Sequence, residues 1–225
     1  MPEKKKIISK EFFEEDKKGF EFNYIFMITT GFLYTILLYH FGINKSGILQ
    51  NLELIKFLIL LPMILLALVI DTKHRIIPNR LTLTILEVGL IIAFIYGITN
   101  LNMAKEYILG MLSGGAIFAF ITLLGGLIFG KEAMGMGDIK FTGAMGLFFG
   151  MYSIAEISLL AFFIAAIYSI LVLIIRLIFR NKDEYIPFGP FLSISAMICI
   201  FIPVGMVFDN FLLICQMISE KIPIM

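Results

Sequence analysis

Two carboxylates carry the chemistry of this 225-residue sequence. Asp71 directly follows the apolar run LLPMILLALVI and opens a polar, basic segment that reads Asp71-Thr72-Lys73-His74-Arg75-Ile76-Ile77-Pro78-Asn79-Arg80. Asp138 closes Gly135-Met136-Gly137-Asp138, where two glycines leave the backbone free to approach another stretch of chain. Taken singly, each has a plain structural reading. Asp71 can be a helix-end residue satisfied by Lys73 or Arg75, and Asp138 can be a helix N-cap. Taken together they do more, because two carboxylates that meet can share one proton. One then acts as general base on a water while the other donates to a carbonyl oxygen or a leaving nitrogen. That is the chemistry of an aspartyl protease.

Their places at helix ends predict a division of labour. Asp71 lies near a helix C-terminus, whose partial negative charge disfavours ionisation, and Asp138 near a helix N-terminus, which favours it. On that ground Asp138 is the readier base and Asp71 the readier acid. Lys73 and Arg75 work the other way by favouring an ionised Asp71, and a coupled pair titrates as a pair.

The elements that must hold these residues are membrane helices. The chain is 60% hydrophobic and 16% charged, with 23 Phe, no Trp and a mean hydropathy of +0.97. Soluble domains are about 45–50% apolar and about 25% charged, so lipid is the solvent for most of this chain. A bilayer core takes about 20 apolar residues as a helix, and seven runs qualify as candidates: 22–43, 52–70, 81–98, 107–129, 139–151, 154–179 and 188–208. Residues 210–225 form a tail that can make a short eighth helix. The run 139–151 is short for a spanning helix, so it tilts, packs inside the bundle or re-enters. The expected fold is therefore all-α, a polytopic transmembrane bundle of about seven spans, with residues 1–21 as a cytosolic tail and 22–225 as a single membrane-embedded domain.

Lys and Arg set the orientation. With the N-terminus inside and each run crossing once, fourteen basic residues fall on the inner side and only Lys45, Lys56, Lys105 and Lys221 fall elsewhere. The positive-inside rule then places the N-terminus in the cytosol. The loops 71–80, 130–138 and 180–187 become cytosolic, and Asp71 and Asp138 lie at the same depth on the same face. The N-terminal segment is a mixed-charge run without the pattern of a signal peptide, and its acidic residues Glu11, Glu14, Glu15 and Asp16 are interleaved with Lys17 and Lys18, as in a solvated tail.

Other chemistries find little support. A net charge of +1 leaves no polybasic face for nucleic acid. Cys199 and Cys215 sit in apolar runs without CxxC spacing and read as small buried hydrophobes, and His40 and His74 have no second ligand at helical spacing, so neither metal nor cofactor is expected. Glycines crowd residues 110–150, where small side chains let helices approach closely. Pro78 and Asn79 set the turn into the third run, with Asn79 as its cap. Lys140 lowers the affinity of Asp138 for its proton, orients a substrate or snorkels to the interface. Pro187, Gly189 and Pro190 interrupt the chain before the last long run, either as a turn or as irregular backbone that pairs with an extended peptide.

At these residues the sequence resembles a known family. Asp71 with Ile77-Pro78-Asn79-Arg80-Leu81-Thr82, Gly135-Met136-Gly137-Asp138-Ile139-Lys140, and Ile186-Pro187-Phe188-Gly189-Pro190-Phe191 stand in order at three successive cytosolic borders. Together they resemble the type IV prepilin peptidases, membrane aspartyl proteases of the GxGD type, and leave the related preflagellin peptidases open. The resemblance implies that Asp71 and Asp138 are the catalytic pair, with Gly135, Gly137, Lys140, Pro78, Asn79, Pro187, Gly189 and Pro190 as motif and substrate-positioning residues. It also implies a multi-pass protein of the cytoplasmic membrane whose substrates are type IV prepilin-like membrane proteins, cut at the cytosolic face to release a short basic leader. Many bacterial members also resemble a fusion to a zinc-binding N-methyltransferase region with two CxxC pairs. This sequence has no CxxC, so that module is not expected here.

Three other readings compete. A proton- or cation-coupled transporter uses ionisable groups at mid-membrane, whereas these runs are almost uncharged between their ends. A presenilin-like intramembrane protease shares GxGD but carries a Pro-Ala-Leu element that is absent here. A catalytically silent scaffold would not need both carboxylates in these contexts.

Overall fold

The structure is a computed structural model, and it describes residues 24–42, 48–130, 134–179 and 187–202. The expected tail 1–21, the loop 180–186 and the segment 210–225 lie outside the described residues, as do Cys215 and Lys221. Among the described residues the architecture is all-helical: α1 (Tyr24–Phe41), α2 (Ile48–His74), α3 (Asn79–Thr99), α4 (Leu101–Phe129), α5 (Met136–Phe149), α6 (Met151–Phe179) and α7 (Gly189–Phe201). Each of the seven apolar runs yields one helix. Four helices, α2, α3, α4 and α6, are long and apolar enough to cross a membrane. Their outward faces carry Phe94, Ile98, Leu123, Leu127 and Leu173, a surface suited to lipid rather than water.

Helix boundaries move where local chemistry was underestimated. Asp71 lies inside the last turn of α2, which runs on to His74 and stops as Arg75 takes a left-handed φ of 57° and donates its N–H to the Asp71 carbonyl at 2.8 Å. The loop to α3 is consequently only 75–78. A single residue, Asn100, separates α3 from α4. Its N–H closes α3 on the Tyr96 carbonyl, and its side chain caps α4 by accepting from Asn102 N–H at 3.0 Å. Hence α4 begins at Leu101, not near Tyr107.

The short helix α5 is the centre of the bundle. Every residue from Phe141 to Phe149 is buried, and α5 packs on α2, α3, α4 and α6. A helix apolar on all sides is buried on all sides, so of the three fates open to this run it takes packing inside the bundle. Its tightest neighbour is α4. A Cβ at Gly146 would lie 2.7 Å from Met111 N and collide with the Gly110 backbone, while a Cβ at Gly110 would lie 2.8 Å from Gly150 Cα. Gly114 approaches the Thr142 carbonyl as closely. The glycine-rich stretch thus packs helices as expected at Gly110, Gly114 and Gly146, whereas a Cβ at Gly115 or Gly126 would meet nothing within 4 Å.

Candidate active site

Four helix ends converge on one cleft: the C-terminal turn of α2 with Asp71, the start of α3 at Asn79, the N-terminal turn of α5 with Asp138, and the start of α7 at Pro187 and Phe188. The cleft has a volume of about 420 Å³, and Asp71, Asn79, Gly135, Gly137, Asp138, Lys140 and Pro187 all line it. Both carboxylates are buried, Asp71 at 4% exposure and Asp138 at 8%.

Asp138 occupies the third position of α5, with Gly135 as N-cap. Its N–H donates to the Gly135 carbonyl at 3.1 Å, and its carboxylate accepts from the Gly135 N–H, the reciprocal arrangement by which a third-position acid ties back a helix start. It is thus a first-turn acid and not the cap itself. One turn on, the buried Thr142 hydroxyl donates to the Asp138 carbonyl at 2.8 Å. The neighbouring loop packs over this turn at Gly137, where a Cβ would make ordinary contact with Ile77 Cβ at 3.5 Å and the Ile77 carbonyl at 3.7 Å. Ile77 is itself buried, so an apolar plug fixes the loop that follows Asp71 against the glycine that precedes Asp138.

The electrostatics depart from the helix-end expectation. Burial, and then the negative charge of Asp71, push Asp138 up to about 7, and the Gly135 N–H only partly offsets them. Desolvation and a like charge outweigh the helix N-terminus. The Asp71 carboxylate accepts the Gly189 N–H. One of its oxygens, Oδ2, is buried without a hydrogen-bond partner. A negative charge that raises the proton affinity of its neighbour is what two carboxylates in one site produce.

Asn79 does not cap α3. Pro78 is the N-cap, no side chain caps the helix there, and the Asn79 side-chain oxygen accepts instead from Lys140 Nζ at 3.1 Å. Lys140 is therefore a strut between α5 and α3 as well as an exposed cation at the cleft. Pro190 lies in the first turn of α7, behind the cleft rather than in its lining. Sequence reasoning missed Arg75, Ile76, Ile77, Met136 and Phe188. All five stand inside the quoted segments, but nothing in their types marks them as cleft residues. Among the described residues no three His, Cys, Asp or Glu side chains cluster as metal ligands.

Comparison with known proteins places these features in a family. The chain matches the type IV leader peptidase family over residues 58–170, a region that contains Asp71 and Asp138. It is 34% identical to a prepilin leader peptidase/N-methyltransferase of Legionella pneumophila over 72% of this chain and 53% of that one. It is 32% identical to the protein of the same description from Aeromonas salmonicida, over 63% of this chain and 47% of the relative, and likewise 32% identical to that of Pseudomonas aeruginosa, over 58% and 43%. The chain spans about half the length of the curated relatives it matches. No solved structure matches it. With the matched region covering half of the chain and both cleft aspartates, this chain belongs to the type IV leader peptidase family.

Proposed function

We propose that this chain is a membrane aspartyl endopeptidase that removes the basic leader of type IV prepilin-like, or preflagellin-like, precursors at the cytosolic face of the cell membrane. The observation that carries the reading is the meeting of Asp71 and Asp138 in the wall of one cleft, near enough for the charge of one to raise the proton affinity of the other. Family membership supports the substrate class. The cytosolic assignment rests on the positive-inside rule, with Arg75 and Lys140 at the cleft itself. Residues 22–225 act on this reading as one membrane-embedded peptidase unit within the bilayer. The methyltransferase part of the relatives' description is not carried over, since the sequence has no CxxC pair.

The chemistry follows from the proton distribution. Asp138 enters protonated and Asp71 ionised. Asp71 takes a proton from a water whose oxygen attacks the scissile carbonyl carbon, and Asp138 gives its proton to the carbonyl oxygen, forming a gem-diol. Asp71 then passes its proton to the amide nitrogen as the C–N bond breaks, and one diol hydroxyl returns a proton to Asp138. A carboxylic acid and an amine leave, and the pair is restored.

Leader removal by the wild-type chain reconstituted in vesicles with prepilin-like precursors tests this reading. The expected result is two peptides whose masses sum to that of the precursor plus one water. Intact precursors across several such substrates would contradict it.

A further inference from the structure

The start of α7 has one unexplained feature. Gly189 is buried and has no left-handed φ, so its backbone conformation does not demand glycine. Space does: a Cβ there would lie 2.9 Å from Asp71 Cγ and 3.2 Å from Asp71 Cβ, and would collide with Oδ2. That oxygen is the one left without a partner.

Hydrogen bonding in the first turn of α7 singles out the same residue. The first N–H groups of a helix have no partner within it. Pro190 has none to offer, and the N–H groups of Phe191 and Leu192 both turn back to the Phe188 carbonyl, at 3.0 and 3.3 Å. The Gly189 N–H goes to the Asp71 carboxylate. Behind it, the Phe188 ring is wedged against Phe162 at 5.0 Å, Phe118 at 5.8 Å and Phe191 at 6.4 Å between centroids. Rings at these separations attract beyond their burial, so α4, α6 and α7 together fix the residue preceding Gly189.

The geometry points to Gly189 as a positioning residue for Asp71: its N–H binds the carboxylate, and its missing side chain leaves the space in which Oδ2 sits. The Pro187–Pro190 segment then serves the protein's own aspartate, where the sequence left a turn or a bound peptide. The inference rests on the two-aspartate reading above.

The test is a double-mutant cycle of Gly189→Ala and Asp71→Ala, read by thermal unfolding of the purified chains in detergent and by cleavage kinetics on a prepilin-like precursor. Gly189→Ala is expected to lower kcat at least about 100-fold with KM within about threefold, and to lower the melting temperature by about 5 °C or more. In the Asp71→Ala background the same substitution is expected to shift melting by less than about 1 °C, because the carboxylate it strikes is gone. Failure to recover Gly189→Ala alone, with recovery of the double variant, supports the same contact. Phe162→Leu, outside the cleft, loosens the wedge and is expected to lower kcat about tenfold at unchanged KM. Equal melting losses in both backgrounds, or wild-type kcat in Gly189→Ala while Asp71→Ala is inactive, overturn the inference alone. Cleavage by Asp71→Ala overturns the two-aspartate reading and this inference with it.

Discussion

Lys140 on α5 donates to the Asn79 side-chain oxygen on α3 at 3.1 Å, bridging 61 positions of sequence. The bond ties the turn that carries Asp138 to the start of the helix beyond the Asp71 loop. With Ile77 packed on Gly137, it makes the second of two ties between the loop after Asp71 and the turn before Asp138: one apolar and buried, one polar and exposed.

Because the pair is exposed and its donor charged, the bond contributes about 1 kcal/mol to stability at most, so its loss is expected to show in rate more than in folding. Lys140→Met and Asn79→Ala are each expected to slow cleavage about 3- to 30-fold, and the double variant to be no slower than the worse single one. Steady-state kinetics of the four proteins checks this. Additive losses in the double variant would show that the two side chains act separately.

Asp138 titrates near 7 in the fold, against about 4 in an unfolded chain. Between those values the folded protein holds the extra proton, so stability falls as pH rises from about 4 to about 7 and levels off above. Melting temperatures measured from pH 4.5 to pH 8 are expected to decline for the wild type and to flatten in Asp138→Asn. The rate follows the same group, since catalysis needs the proton on Asp138. kcat is expected to fall through an apparent pKa of about 7 that belongs to the coupled pair. A rate that instead rises through pH 7 would assign Asp138 as the base.

The glycines of the α4–α5 contact are not equivalent. Gly146→Ala forces α5 away from Gly110 and Met111 and is expected to cost about 1–3 kcal/mol. Gly115→Ala meets nothing within 4 Å and is expected to be neutral or to stabilise by about 0.5–1 kcal/mol through helix propensity. Thermal unfolding in detergent distinguishes them, and equal effects would contradict the packing.

Much of this was legible in the sequence because apolar runs of helical length are punctuated by Pro, Gly and polar residues, and each run became a helix. The convergence of Asp71 and Asp138 was legible through orientation, since positive-inside counting put both on one face. What was not legible is lateral. Gly114 and Gly115 are adjacent and identical in type, yet an added Cβ would strike α5 only at the first. Asn79 looked like a cap because its nearest chain neighbours invite one, while its actual partner is Lys140. The proton affinity of Asp138 was not legible from its helix end because burial and a neighbouring charge, both tertiary, outweigh a helix terminus. The Pro187–Pro190 segment was visible as a motif, but its target, Asp71, was not.

The most direct test of the central claim is the cleavage rate of Asp71→Asn and Asp138→Asn, each alone, with membrane insertion checked in parallel. Both substitutions keep the shape and remove the exchangeable carboxyl proton. Loss of at least about 1000-fold in each, with normal insertion, is the expected result; leader removal surviving in either variant at near wild-type rate would contradict the shared-proton mechanism.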